Sequence, residues 1–257
     1  MPTPESLPVP VDKNPSDENA PTSGAMTLLE HLTELRNRLI YVSVALLITT
    51  AISFIFAGRL IDIFTAPIGG RQALESVDVT ENMGIFMRVS LISGVVLGMP
   101  FIVYHGIRFI VPGLTRQERR FLWLVVPGAS LLFLSGVLFA YYVMLPVALP
   151  FLIDFMDIPT RPRPNTYFGF VTQLMFWIGL AFETPLILSF LSWTGIVTPQ
   201  MLRQNRKYAV VGAAVLAAAI TPTVDPVNML LVMVPLLLLF ELGVFLSRFT
   251  YRQRGAT

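Results

Sequence analysis

The sequence predicts an all-α integral membrane protein: six transmembrane helices, both termini cytoplasmic, in a curved, concave bundle whose fifth and sixth helices are short. Three observations predict it. Apolar residues make up 54% of the 257-residue chain and charged ones only 13%, about half the share of a soluble domain. The apolar residues gather into long runs almost free of charge, and mean hydropathy is +0.68. The basic residues then fall mostly on one side of those runs.

Residues 1–25 are a different polymer. Pro2, Pro4, Pro8, Pro10, Pro15 and Pro21 alternate with Glu5, Asp12, Lys13, Asp17 and Glu18, the composition of a solvated, disordered tail. The stretch lacks the basic start and apolar run of a secretory signal peptide. The expected organisation is this tail, a membrane domain over 26–250, and a short cytoplasmic tail over 251–257.

The spans follow in order, each needing about 20 largely apolar residues. Run 39–56 has no charge between Arg38 and Arg59, and 89–107 none between Arg88 and Arg108. Run 121–153 is uncharged throughout, with Pro146 and Pro150 at its exit, and 166–192 holds a single charge, Glu183. Runs 208–220 and 227–247 flank the turn T-P-T-V-D-P at 221–226. The fifth run is 13 residues, about 20 Å of helix against a hydrocarbon core of about 30 Å. The sixth is interrupted by Glu241 and carries Pro235 inside it. Two short neighbouring helices would thin the bilayer or shelter against a partner.

Orientation comes from the bases. With the N-terminus inside, 13 of the 18 Lys and Arg lie in inside segments: Lys13, Arg36, Arg38, Arg108, Arg116, Arg119, Arg120, Arg203, Arg206, Lys207, Arg248, Arg252 and Arg254. Outside segments hold Arg59, Arg71, Arg161 and Arg163, with Arg88 at a helix edge. That asymmetry places both termini in the cytoplasm. Pro100, Pro127, Pro146, Pro185, Pro222 and Pro235 recur in or beside the spans and predict bent helices braced by neighbours.

Three places carry polar chemistry. In residues 27–39, Thr27 and Glu30 have capping-box spacing, Leu28, Leu32, Leu35 and Leu39 form a stripe, and Glu30, Glu34 and Arg38 fall in steps of four. An interfacial helix whose Glu34 pairs with Arg38 fits this pattern, and so does a docking surface. In the loop at 109–120, Pro112-Gly113 turns the chain, and Glu118 stands three residues after Thr115, where it would cap the third span. Glu118 and Glu34 fall on the same membrane face, and two carboxylates there could receive guanidinium groups bidentately, as lysine cannot. Glu183 lies mid-span, where a carboxylate marks a functional site or a neutral acid bonded to another helix. Asp225 reads as the cap of the sixth helix, with Pro226 at its first position. His31 and His105 are isolated, better suited to polar contacts than to metal binding. There are no cysteines. No phosphate loop, nucleotide fingerprint, catalytic triad or zinc motif is present, so no enzymatic activity, cofactor or metal is expected, and the net charge of +2 implies no nucleic acid.

These pieces, in order, resemble the TatC family, the receptor subunits of the twin-arginine protein translocase. The matching segments are H-L-T-E-L-R-N-R (31–38), A-P-I (66–68), E-N-M-G-I-F-M-R (81–88), F-I-V-P-G-L-T-R-Q-E-R-R (109–120), G-V-L-F-A-Y-Y-V-M-L-P (136–146), F-E-T-P (182–185), I-T-P-T-V-D-P (220–226) and F-E-L-G-V-F-L-S-R (240–248). The resemblance implies a non-enzymatic receptor in a prokaryotic-type cell (inner) membrane. It would bind twin-arginine signal peptides and, with TatA/TatB-type single-span partners, export folded proteins using the proton-motive force. It further implies a cytoplasmic recognition patch of Glu34, Arg36, Phe109, Pro112 and Glu118, and a concave intramembrane pocket faced by Glu183. Pro67, Glu81 and Asp225 would belong to outer-loop motifs, and Thr221 and Asn228 to the partner-docking region. Ala217, Ala218 and Ala219 leave that region little side-chain chemistry. Six helices cannot enclose a pore for a folded protein, so homo-oligomers within a multi-subunit complex are expected. The competing reading is a proton-coupled small-solute transporter using Glu183.

Overall fold

The computed structural model describes residues 28–110, 116–153, 161–221 and 226–254, with side chains for all of these but 28, 110, 116–124 and 252–254. No strand occurs among the described residues. Helix α1 runs Leu28–Thr65 without a break. No Gly or Pro interrupts 28–57, so the amphipathic start and the first apolar run form one rod, about 57 Å long at 1.5 Å per residue. It ends where Pro67 enters a 3₁₀ turn, Ala66–Ile68, closed by Gly69 at φ +89°, a conformation that suits only glycine well. Helix α2 is Glu81–Ile110.

Helix α3 (Arg116–Phe139) passes through a wide π turn, Ala140–Met144, into α4 (Leu145–Ile153). Pro146 has no N–H for the preceding turn, and the widened turn gives its ring room. Helix α5 (Pro164–Phe182) and α6 (Thr184–Thr194) form the fourth run, broken at Glu183 because Pro185 begins the new helix. A short α7 (Pro199–Gln204) is capped by the Thr198 hydroxyl, and α8 (Arg206–Ile220) and α9 (Pro226–Arg254) follow.

Among the described residues, five helical stretches are long and apolar enough to cross a membrane: Leu29–Ile68, Glu81–Phe109, Val125–Ile153, Pro164–Thr194 and Pro226–Tyr251. The fifth expected span is the 15-residue α8, about 22 Å long and short of the hydrocarbon thickness. The sixth differs from expectation. Instead of a short interrupted helix, α9 is continuous over 29 residues with Pro235 inside it. Glu241 does not break it, since glutamate is a good helix former, and its carboxylate pairs with Arg206 of α8 at 2.6 Å.

The helices pack chiefly as α1 on α2, α3 on α5, and α6 on α9. Each pair closes on a glycine notch. A Cβ on Gly94 would stand 2.7 Å from the Thr50 Cα of α1, and one on Gly136 would stand 2.9 Å from the Gly179 Cα of α5. On α9, a Cβ at Gly243 would lie 3.2 Å from the Pro185 Cα. Small residues let backbones approach where dispersion, not water exclusion, must hold helices together. Phe133, Phe168, Met144, Leu174 and Ile178 fill the centre, while Leu47, Ile48 and Ile55 of α1 stay exposed, as a lipid-facing flank would be.

The far end of α1 is fastened by hydroxyls from other helices. Tyr167 Oη donates to the Phe64 carbonyl at 2.7 Å, and Tyr141 Oη to the Ile63 carbonyl at 2.7 Å. The Arg71 guanidinium adds bonds to the Gly58 carbonyl and the Asp62 carboxylate. Tyr167 is buried and its removal would strand the Phe64 carbonyl. Tyr167→Phe is therefore expected to destabilise the protein by about 1–2 kcal/mol, and Tyr141→Phe, whose bond is exposed, by less. Thermal unfolding of both variants in detergent checks the order.

Candidate functional site

The start of α1 and the end of α2 are locked by aromatic rings. His31 stacks on Phe109 with centroids 4.3 Å apart and planes at 26°. Further along, Tyr41 stacks on His105 at 5.4 Å, and Tyr104 meets that imidazole edge-on at 5.1 Å. Both histidines thus serve as ring planes rather than through the polar contacts expected of them, and His105 Nδ1 is buried with no hydrogen-bond partner. The sequence held no signal for the stacks between α1 and α2, since each joins residues on different helices.

Glu34 lies three residues after His31, on the same helical face. Arg38 Nη2 donates to its Oε1 at 3.0 Å, with the two side chains only 21% and 16% exposed, arginine first. The spacing-based pairing of Glu34 with Arg38 is present. It is incomplete, because Glu34 Oε2 and Arg38 Nε are buried without hydrogen-bond partners. The result is a sheltered carboxylate with one oxygen unspent, next to a stacked aromatic wall. Arg36, two residues on and about 200° round the helix, is exposed and borders a shallow groove of about 410 Å³ lined by Leu32, Leu35, Leu39, Ile40 and Val44. Glu34 and Phe109 are therefore brought together through His31, while Arg36 faces elsewhere. Pro112 lies outside the described residues. Glu118 falls in the first turn of α3, and its side chain is outside them.

Glu183 caps the α5–α6 break; it is buried, and its Oε1 has no hydrogen-bond partner. Pro185 accounts for the break, because it cannot continue α5 and begins the next helix. Among the described residues no basic side chain pairs with it.

At the opposite end of the α1–α2 pair, Pro67 starts the turn after α1, and Glu81 starts α2 with its side chain 4% exposed. Glu81 accepts from the backbone N–H groups of Asn165 (2.9 Å) and Val77 (3.4 Å), with Arg163 at 4.0 Å. Arg88 donates to the Asn165 carbonyl and side-chain oxygen. This network ties the α1–α2 loop to the start of α5. In the loop itself, the Thr80 backbone N–H and hydroxyl both bond Asp78 and hold its carboxyl below the usual range.

Thr221 caps α8, its hydroxyl donating to the Ala217 carbonyl at 2.9 Å, and Asn228 is buried in the first turn of α9. Asp225 lies outside the described residues. Gln173 of α5, not singled out by sequence, donates to the Ala219 carbonyl at 2.9 Å. Its position nine residues into α5 puts the end of α8 about 14 Å along that helix from its start. Among the described residues no group of His, Asp and Glu could hold a metal ion.

A bundle of long helices with apolar flanks and sheltered carboxylates is that of a polytopic membrane protein. The family profile described as Sec-independent protein translocase protein (TatC) matches residues 30–235. The chain is 38% identical to the Sec-independent protein translocase protein TatC of Deinococcus radiodurans over 89% of this chain and 88% of that one. It is also 38% identical to the TatC of Aquifex aeolicus, over 89% and 98% of the two chains. A crystal structure described as the twin arginine translocase receptor TatC superposes with a TM-score of 0.77 at 37% identity, covering 86% of this chain and 99% of that one. The chain belongs to the TatC family: it is a protein-translocase component, not an enzyme.

Proposed function

We infer that this chain binds twin-arginine signal peptides at the α1–α2 end and, with single-span TatA/TatB-type partners, exports folded proteins under the proton-motive force. One observation carries the reading: Glu34 is sheltered, flanked by the His31–Phe109 stack, and has a buried oxygen free to accept a guanidinium. Glu118 supplies the second carboxylate, and Phe109 and Pro112 shape the patch, while Arg36 acts from the far side of α1. Similarity to a solved twin arginine translocase receptor supports the same role.

The topology proposed is six spans, α8 being the fifth, in a concave bundle within the cell (inner) membrane, both termini cytoplasmic. Segments expected on one side do contact each other: Phe109 meets His31, and Glu75 meets Arg161, which supports the pairing of ends, while the excess of Lys and Arg at the His31 end argues that this end is the cytoplasmic one. Residues 1–25 would be a cytoplasmic tail before the membrane domain. Thr221 and Asn228, beside the short α8, would form the partner-docking region, where thinned lipid favours assembly. Pro67, Glu81 and Asp225 would shape the outer loops.

The test is transport into inverted membrane vesicles containing the chain and its partners, using a folded reporter behind a twin-arginine signal. Import that needs both arginines and collapses with the proton gradient supports the reading. Import indifferent to a twin-lysine replacement overturns it. Glu183→Gln is expected to leave peptide binding at the α1–α2 end unchanged and to lower transport, because Glu183 lies at the kink rather than in the patch. Loss of peptide binding in that variant would contradict the assignment.

A further inference from the structure

Glu34 is already engaged by a guanidinium from its own helix. A free arginine and carboxylate settle fork to fork, with two parallel hydrogen bonds. Arg38, one turn along the same helix, makes only one: Nη2 to Oε1 at 3.0 Å. Glu34 Oε2 and Arg38 Nε are left buried and unpartnered, and each unpaired group carries a desolvation penalty. A guanidinium arriving from outside the helix has no such tether and can engage both oxygens. The intrahelical pair is thus a poorer version of the contact a peptide arginine would make.

We propose that Arg38 is an internal occupant of the Glu34 site, so that a peptide arginine binds by taking the carboxylate from it. Arg38 then sets the affinity threshold of the site. This rests on the reading of Glu34 as a peptide-binding carboxylate. The displaced side chain has a place to go. His105 on α2 stacks on Tyr41, three residues beyond Arg38 and on the same face of α1, and its buried Nδ1 has no hydrogen-bond partner. In the neutral ring with its proton on Nε2, that atom accepts a hydrogen bond, which Arg38 could donate once it leaves Glu34.

Sign separates this role from a supporting one. If Arg38 merely orients the carboxylate, removing it weakens peptide binding. If it competes, removing it tightens binding, and for arginine and lysine peptides by the same factor, since both must displace it. A general charge effect is controlled at Arg108, whose guanidinium lies over the Tyr104 ring at 5.6 Å. Arg108→Gln deletes the same charge nearby without freeing Glu34.

The experiment titrates fluorescent twin-arginine and twin-lysine peptides into the purified full chain and its Arg38→Gln, Arg108→Gln and Glu34→Ala variants. Arg38→Gln is expected to tighten both peptides about threefold or more, the scale of a partly sheltered ion pair, while Arg108→Gln changes little. Weaker or unchanged binding in Arg38→Gln overturns the proposal, as does an equal gain in Arg108→Gln. Glu34→Ala reports on the underlying reading: if it binds the arginine peptide as well as the unaltered chain, the site itself is wrong. His105→Phe, which keeps the ring stack, is expected to weaken peptide binding only while Arg38 is present. An equal loss in the Arg38→Gln background overturns the role given to His105.

Discussion

Gly94→Leu is expected to prevent the protein from accumulating in the membrane. The first added carbon would stand 2.7 Å from the Thr50 Cα and 2.9 Å from its nitrogen, and would also strike its hydroxyl oxygen. The first two are backbone atoms of a 38-residue helix, so no side-chain rotation relieves the clash. Even Gly94→Ala should lower stability by about 1–3 kcal/mol, the usual effect of overpacking. The consequence reaches the site, because Glu34 is on α1 and Phe109 on α2. Forcing that pair apart should weaken peptide binding in whatever Gly94→Ala protein survives. Gly84 on the same helix meets nothing within 4 Å, so Gly84→Ala is the control and should be tolerated. Membrane abundance and unfolding midpoints in detergent check the contrast. Equal tolerance of both alanine variants would mean that α1 and α2 do not pack at this notch.

Glu34→Ala is expected to weaken a twin-arginine peptide by at least about thirtyfold, or about 2 kcal/mol, the lower range for removing one partner of a sheltered, hydrogen-bonded charge pair. The fold should survive. Arg38, left without its carboxylate, is long enough to carry its charge to water, and the His31–Phe109 stack does not depend on Glu34. The twin-lysine peptide should lose less, because an ammonium makes no bidentate contact to begin with. Binding measured beside the unfolding midpoint separates loss of the site from loss of structure.

The existence of the long helices was legible, because a charge-free run in a chain this apolar admits few other structures; the short, polar α7 was not. Where the helices stop was also less legible. Residues 27–38 read as polar and 39–56 as apolar, yet nothing between them breaks a helix, and α1 runs through both from Leu28 onward. Glu241 read as an interruption because its partner, Arg206, stands on another helix. The π turn at Ala140–Met144 has no periodicity of its own; only Pro146 hinted at it. At the site, the Glu34–Arg38 pair followed from four-residue spacing, since both partners share one helix. Its incompleteness did not follow, because burial of a single oxygen depends on the helix packed above it. The aromatic locks and the Tyr167 hydroxyl bond share that limit, being contacts between distant parts of the chain.

The most direct measurement is a photocrosslinking map made with a twin-arginine peptide carrying its probe beside the arginine pair. The recognition surface proposed at the α1–α2 end predicts labelling around His31, Glu34 and Phe109, strong competition by unlabelled twin-arginine peptide, and little competition by the twin-lysine form. Labelling concentrated around Glu75 and Arg161, at the opposite end of the bundle, or equal competition by the two peptides, would contradict it.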